Sequence, residues 1–171
     1  MKRIAVLFGS TTGTTEDLAR RIAAKLNVPS GDVIDVSKLT ESIVNEFDVL
    51  ILGTSTWGAG ELQDDWYDGV SLLKKCDLSH KYVALFGCGD SDSYSDTFCN
   101  AIGILYEELK DTNCTFCGVT DTEGYTFDSS EAVVDGKFVG LPLDEVNEDS
   151  LSDERISAWT CLLYTSDAAD D

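Results

Sequence analysis

Short apolar runs alternate with amphipathic segments along the chain, and this alternation constrains the fold more than any other feature. Strand-like runs cover Ile4–Phe8, Asp32–Val36, Val49–Gly53, Tyr82–Phe86 and Thr115–Val119. Helical patterns cover Thr15–Leu26, Asp64–Lys75, Asp96–Leu109 and Leu151–Trp159. Strands that lack polar alternation are typical of parallel sheets covered on both faces. The sequence therefore predicts an α/β fold, a doubly wound five-stranded parallel sheet with helices on both faces.

The turn between the first strand and the first helix is rich in hydroxyl groups. It consists of Ser10, Thr11, Thr12, Gly13, Thr14 and Thr15. A helix amino terminus presents unpaired N–H groups and a partial positive charge, which suit a phosphate. No Lys or Arg lies between Ile4 and Leu18, and the segment lacks the glycine and lysine spacing of nucleotide-binding loops. The turn indicates either a site for one small phosphate or only a threonine-rich helix cap.

Two glycine-rich polar loops follow the third and fourth strands, and each contains one large aromatic residue. Trp57 lies in the loop 54–60, and Tyr94 lies in the loop 87–94. Ligands of doubly wound folds lie at the carboxyl ends of the strands, where these loops begin. The two rings either clamp a flat conjugated ligand or simply cover the sheet edge. Together with the hydroxyl-rich turn they favour a flat ring system that carries one phosphate, and FMN fits that description.

The composition limits the classes of partner that the chain can bind. The 171 residues suit one domain, and 32 acidic against 12 basic residues give a formal net charge of −20. Such a surface repels nucleic acid and anionic membranes and favours partners with basic docking faces. No apolar stretch reaches the length of a membrane span, and a strand follows Met1 almost at once, so we expect no signal peptide.

The six cysteines are scattered along the chain, which is typical of a reducing compartment. Cys114 and Cys117 match a CxxC pattern but lie in a strand-like run, where residues three apart point to opposite faces. We therefore expect neither a redox pair nor a metal site there.

The three loops together resemble those of the flavodoxin family, and in particular its long-chain type. The resemblance runs from residue 2 to about residue 160 and is carried further by residues 121–128, 136–141 and Asp153–Ile156 with Trp159. Long-chain members interrupt their last strand with an insertion. In this chain that insertion would cover roughly Asp121 to Lys137.

The resemblance implies a non-covalently bound FMN. Ser10 to Thr15 would bind its phosphate, and Trp57 and Tyr94 would lie on the two faces of its ring. Backbone groups of Gly58 and Ala59, and of Cys88 to Asp90, would bind the ring edge. The complete set of cofactor-binding residues that it implies is Ser10, Thr11, Thr12, Gly13, Thr14, Thr15, Ser55, Thr56, Trp57, Gly58, Ala59, Gly60, Cys88, Gly89, Asp90 and Tyr94.

The resemblance also implies a function. Flavodoxins are low-potential one-electron carriers rather than enzymes, and they pass electrons from a reductase or a photosystem to redox enzymes. We therefore expect a cytoplasmic monomer, without catalytic or metal-binding residues, that meets basic-faced partners such as a ferredoxin/flavodoxin–NADP reductase. The alternative is the flavodoxin-like domain of a larger, truncated reductase.

Two other protein classes with this fold fit less well. A receiver domain needs clustered acids after the first strand and a lysine after the fifth, and residues 8–10 and 119–121 supply neither. Flavin-dependent quinone reductases lack the pairing of Trp57 with Tyr94.

The carboxyl-terminal segment 161–171 departs from the family pattern. The helix that begins near Leu151 should continue, but the sequence after Thr160 breaks its apolar pattern without a cap signal and resembles a translated sequencing adapter. We therefore predict a flavodoxin-like domain over residues 1–160 and a non-native tail over residues 161–171.

Overall fold

The computed structural model describes residues 3–57 and 60–164. Its strands are β1 (Ile4–Gly9), β2 (Val33–Asp35), β3 (Val49–Trp57), β4 (Glu61–Leu62), β5 (Tyr82–Cys88), β6 (Thr115–Cys117), β7 (Thr120–Asp121), β8 (Val133–Val134), β9 (Lys137–Phe138) and β10 (Leu141–Leu143). Its α-helices are α1 (Thr14–Lys25), α2 (Glu41–Asn45), α3 (Asp65–Lys75), α4 (Asn100–Leu109) and α5 (Asp149–Tyr164).

The main sheet is parallel in its central part and has the strand order β2-β1-β3-β5. Both β6 and β10 then pair with β5 in parallel, while the short β4 pairs with β3 as an antiparallel hairpin. Helices α1 and α5 cover one face, where Ile22 and Trp159 are buried. Helices α3 and α4 cover the other face, where Trp66 and Leu105 are buried. The predicted doubly wound α/β fold is confirmed.

The fifth strand position is divided between two segments. β6 pairs with Tyr82–Ala84 at the start of β5, and β10 pairs with Phe86–Cys88 at its end. Residues 118–140 between them contain the small antiparallel sheet β7-β9-β8. The predicted insertion is confirmed, but the strand expected over Thr115–Val119 ends at Cys117 and resumes only at Leu141.

The chain leaves the sheet at Gly118, which has a positive φ of 79°. A Cβ there would lie 2.7 Å from the indole nitrogen of Trp159. That nitrogen donates a hydrogen bond to the carbonyl of Gly118 over 2.8 Å. Glycine therefore allows both the turn and the close approach of α5 at the point of division.

Three helical segments differ from the sequence-based expectation. The helix expected from Asp96 begins at Asn100, because Cys99 before it adopts a left-handed φ of 52°. The short α2 was not predicted, and the hydroxyl of Thr40 caps it by accepting a bond from the N–H of Ile43 over 3.2 Å. Helix α5 continues to Tyr164, beyond the expected break at residue 160. None of the described helices is long and apolar enough to cross a membrane.

Candidate functional site

A cavity of about 180 Å³ opens at the carboxyl ends of the central strands. Eight of the residues predicted to bind a cofactor line it: Thr12, Thr14, Ser55, Thr56, Cys88, Gly89, Asp90 and Tyr94. They come from the carboxyl ends of β3 and β5 and from the segments that follow β1 and β5, which lie side by side because these three strands are adjacent. The fold therefore brings together all three loops that the sequence singled out.

The turn before α1 is closed by its own hydroxyl and glycine residues. Gly13 adopts a φ of 95° directly before the helix, and its N–H donates to Ser10 Oγ over 3.0 Å. Nothing lies within 4 Å of the position that a Cβ on Gly13 would take. Glycine is therefore needed here for the positive φ, and not because a side chain would clash with a neighbour. The turn thus places the first N–H groups of α1 at the cavity edge.

The four threonines of this turn have different surroundings. Thr15 is buried, and its hydroxyl lies 3.3 Å from Cys88 Sγ, while Thr11 Oγ1 accepts a bond from Gln63 Nε2 over 3.1 Å. Thr12 and Thr14 are exposed and line the cavity. Of the four threonines, Thr12 and Thr14 are therefore the two that line the cavity.

The end of β3 and the turn after it pack against α4. Thr56 Oγ1 accepts a bond from the N–H of Ala101 over 3.2 Å. Gly60 has a φ of 109°, and a Cβ there would lie 2.6 Å from Asn100 Nδ2. The backbone of Trp57 ends β3 opposite Glu61. The side chain of Trp57, and the whole of Gly58 and Ala59, lie outside the described residues.

The loop after β5 is organised around Asp90. Its Oδ1 accepts bonds from the N–H groups of Asp92 (3.1 Å) and Ser93 (3.0 Å) and from Asn147 Nδ2 (2.7 Å). The backbone bond from Ser93 and the bond from Asn147 hold the pKa of Asp90 below its ordinary value. The backbone carbonyl of Asp90 accepts a bond from the N–H of Tyr94, whose side chain is 51% exposed at the cavity. The carboxylate thus shapes the loop that presents the Tyr94 ring.

A buried carboxylate links this loop to the end of the split strand. Asp144 follows β10, is fully buried, and accepts bonds from the backbone and hydroxyl of Ser91. It also accepts bonds from the N–H groups of Val146 (3.1 Å) and Asn147 (2.9 Å). Burial acts to raise the pKa of Asp144, but the bonds from Ser91 and Asn147 outweigh it and hold the pKa below its ordinary value.

The chain is similar to known proteins over nearly its whole length. The family model described as Flavodoxin matches residues 6–159. The chain belongs to the flavodoxin family. It is 42% identical over 159 residues to the flavodoxin of Helicobacter pylori, and the alignment covers 93% of this chain and 94% of that protein. It is 40% identical over 170 residues to flavodoxin 1 of Azotobacter vinelandii, and the alignment covers 95% of this chain and 96% of that protein.

Solved flavodoxins have the same fold. The Fusobacterium nucleatum flavodoxin bound to flavin mononucleotide matches with a TM-score of 0.84 at 31% identity, over 94% of this chain and 96% of that one. The oxidised flavodoxin 2 of Bacillus cereus matches with a TM-score of 0.71 at 26% identity, over 94% of this chain and 96% of that one.

Four further residues line the cavity of this flavodoxin and were not predicted: Thr97, Cys99, Glu145 and Val146. Glu145 and Val146 follow β10, and a last strand that ended near Val119, as the sequence predicts, would not bring them to the cavity. Glu145 accepts bonds from Arg21 Nη1 and from Ser152 Oγ. Hydrogen bonds from Arg21 to Asp153 and to Glu145 raise the pKa of the guanidinium. Arg21 is therefore engaged in ion pairs with these two acids.

The cysteine pair of the CxxC pattern lies away from this cavity. Cys117 Sγ contacts the carbonyl of Val83 at 3.8 Å, and Cys114 Sγ contacts that of Leu109 at 3.8 Å. Within residues 3–57 and 60–164, no group of three or more His, Cys, Asp or Glu side chains is arranged to hold a metal ion.

Proposed function

We propose that this cavity binds FMN non-covalently and that the protein is a low-potential one-electron carrier. The observation that carries the proposal is the convergence of the amino terminus of α1 with the loops after β3 and β5 on one cavity. Membership of the flavodoxin family supports it, as does the likeness to the FMN-bound Fusobacterium protein. When bound, FMN supplies a flavin ring that takes up and releases electrons one at a time.

The donors at the α1 end suit a phosphate. Thr12 and Thr14 line the cavity beside the first helical turn, whose N–H groups have no partners within the helix. Among the described lining residues there is no Lys or Arg, so neutral donors and the helix terminus hold the phosphate charge. We assign phosphate binding to Ser10, Thr11, Thr12, Gly13, Thr14 and Thr15. In this set Thr12 and Thr14 make contact, and the other four shape the turn.

The opposite loops suit a flat ring. Half of the Tyr94 side chain is exposed at the cavity edge, so a ring stacked on it would bury apolar surface. We assign the two faces of the ring to Trp57 and Tyr94. Its polar edge is assigned to the loops that contain Ser55, Thr56, Gly58, Ala59 and Gly60, and Cys88, Gly89 and Asp90.

The charges of the site favour a low reduction potential. Asp90 and Glu145 both line the cavity, and the whole chain carries a net charge of −20. Carboxylates near the ring raise the free energy of a negative charge placed on it, because the low-dielectric walls screen that interaction weakly. The acidic surface also attracts redox partners with basic faces, such as a ferredoxin/flavodoxin–NADP reductase, and this attraction weakens as salt rises.

We further propose a cytoplasmic monomer that acts as a carrier and not as an enzyme. A free-standing carrier is favoured over a domain of a larger reductase, because the flavodoxin relatives are matched over nearly their whole length. Residues 1–160 form the FMN-binding domain in this proposal. Residues 161–171 are a non-native tail in this proposal. The first four of them, to Tyr164, extend α5, and Leu163 is buried.

The test is an FMN titration followed by anaerobic reduction. The purified chain should quench the fluorescence of FMN at a one-to-one ratio. Stepwise reduction should then proceed in two one-electron stages, the second at a low potential. A chain that leaves FMN fluorescence unchanged, both as it stands and with residues 161–171 replaced by the final helical residues of a relative, would overturn the proposal.

A further inference from the structure

The side-chain amide of Gln63 joins two segments that are distant in the chain. Gln63 lies in the turn between β4 and α3 and is 2% exposed. Its Nε2 donates a hydrogen bond over 3.1 Å to the hydroxyl oxygen of Thr11, which lies 52 residues earlier, in the turn before α1. An amide buried to this extent needs hydrogen-bond partners, and here one partner belongs to the turn to which phosphate binding is assigned above.

The orientation of this amide is set by the start of α3. Gln63 Oε1 accepts a hydrogen bond from the N–H of Asp65 over 2.9 Å, so Nε2 is the atom that faces Thr11. The second hydrogen of Nε2 is donated to Asp65 Oδ2 over 3.1 Å. The backbone N–H of Gln63 donates to Thr54 Oγ1 over 3.3 Å. These bonds to α3 and β3 position the amide without any contribution from a ligand.

The end of β1 leaves room for the amide. A Cβ at Gly9 would lie 2.4 Å from Gln63 Oε1 and 2.7 Å from Cδ1 of Trp66, so a larger residue would displace these side chains. Trp66 is fully buried, and its indole nitrogen donates to the carbonyl of Gly53 over 2.7 Å. The amide therefore belongs to the buried part of the fold, whereas Thr11 is exposed.

We propose that Gln63 is a positioning residue for the turn before α1, an inference that rests on the function proposed above. The bond from the N–H of Gly13 to Ser10 Oγ lies within this turn, whereas the bond from Gln63 to Thr11 ties the turn to another element. A turn that is held in its binding conformation before the phosphate arrives loses less conformational freedom on binding. Gln63 thus acts on the phosphate through Thr11.

A comparison of FMN with riboflavin, which lacks the phosphate, tests this role. Gln63→Met removes the amide but keeps a side chain of similar length and leaves the backbone bond to Thr54 in place. The Kd for FMN should rise about three- to tenfold, because the turn is no longer held in place. The Kd for riboflavin should change by less than about twofold. Fluorescence quenching measures both constants.

Two further substitutions show which bond of the amide is responsible. Thr11→Val removes the acceptor and should weaken FMN selectively, as Gln63→Met does. The double variant should bind FMN no more weakly than the weaker single variant, because both changes remove the same hydrogen bond. Asp65→Ala is the matched control: it removes the other acceptor of Nε2 but keeps the bond to Thr11, and it should not weaken FMN relative to riboflavin.

Four results would overturn the role of Gln63 while the unaltered chain still binds FMN. The first is a Gln63→Met protein with an unaltered Kd for FMN. The second is an equal weakening of FMN and riboflavin, which would mean that the amide supports the fold as a whole. The third is additive losses in the double variant, and the fourth is a selective loss of FMN in Asp65→Ala.

If Gln63→Met does not fold, Thr11→Val decides the question, because the exposed Thr11 side chain can be changed without opening the core. An unaltered Kd for FMN in Thr11→Val would then overturn the role of Gln63. Failure of the unaltered chain to bind FMN would overturn the proposed function as well.

Discussion

Asn147 Nδ2 donates a hydrogen bond to Asp90 Oδ1 over 2.7 Å, which joins the segment after the split fifth strand to the loop after β5. The same amide contacts Asp144 Oδ2 at 3.0 Å. One side-chain amide thus lies between two carboxylates, of which Asp90 lines the cavity. Without it, like charges would face each other in a partly buried place.

Replacing this amide should loosen the loop and weaken cofactor binding. Asn147→Ala removes the donor, so the Kd for FMN should rise about threefold to tenfold, and the free energy of unfolding should fall by about 1–2 kcal/mol. Asn147→Asp adds a third carboxylate and should be worse than alanine at pH 7, with the difference shrinking near pH 4. Fluorescence titration and urea unfolding measure both quantities. Two variants that bind FMN like the unaltered chain would contradict this role.

Asp144 should make stability depend on pH in the acid range. Its folded pKa lies below the ordinary value of 3.8, so the stability that its charge contributes is complete above about pH 4 and is lost as the pH falls through the folded pKa. Asp144→Asn should lower the free energy of unfolding by about 1–3 kcal/mol at pH 7. The difference in free energy of unfolding between Asp144→Asn and the unaltered chain should then become smaller as the pH falls below 4.

Urea unfolding at pH 7, 5, 4 and 3 measures that gap. Asp68→Asn, on the exposed surface of α3, is the control and should change the free energy of unfolding only slightly. A gap for Asp144→Asn that is constant over the whole range would show that the charge of Asp144 is not the source of the stability.

Gly13→Ala tests whether the turn before α1 needs a left-handed residue. The new Cβ meets nothing within 4 Å, so the cost comes from the φ of 95° alone and should be about 1 kcal/mol of unfolding free energy. Gly31→Ala is the matched control, because Gly31 also has open space around it but no positive φ. It should stay within about 0.5 kcal/mol. Equal losses in the two variants would argue against a conformational requirement at Gly13.

Glu145→Gln tests the contribution of a cavity carboxylate to the reduction potential. Removing the charge should make the reduction that leaves the bound flavin negative easier, and its midpoint potential should rise by some tens of millivolts. Asp17→Asn is the control: Asp17 Oδ2 lies 3.4 Å from the same Arg21 but does not line the cavity. It should shift the potential much less. Similar shifts in both variants would mean that Arg21, freed from one acid, causes the effect.

The sequence was sufficient for the doubly wound α/β class and for the three loops, because both depend on local patterns. Apolar runs gave the strands, and the rule that ligands lie at the carboxyl ends of parallel strands then gave the loops that contain Thr12, Ser55 and Asp90. Their spatial convergence follows from the adjacency of β1, β3 and β5.

The residues that were missed depend on contacts distant in the chain. Glu145 enters the cavity because the fifth strand resumes at Leu141, more than twenty residues after it stops. Thr97 lines the cavity because α4 begins only at Asn100, and the segment before it is held by the insertion, for example by the bond from Ser129 Oγ to the carbonyl of Asp96. No local pattern reports such contacts. The available signal was the insertion that the family resemblance implies over roughly Asp121 to Lys137, because the apolar residues Leu141 and Leu143 follow it and could resume the strand.

The division of the fifth strand also protects the sheet from other chains. A long open edge offers a continuous row of N–H and C=O groups on which a foreign strand can form, and this is a common start of aggregation. Here that edge consists of two three-residue segments, β6 and β10, with the insertion between them. Pro142, at the centre of β10, contributes no N–H at all. The division of the fifth strand, which also brings Glu145 to the cavity, therefore makes this edge too short a template for a strand of another chain.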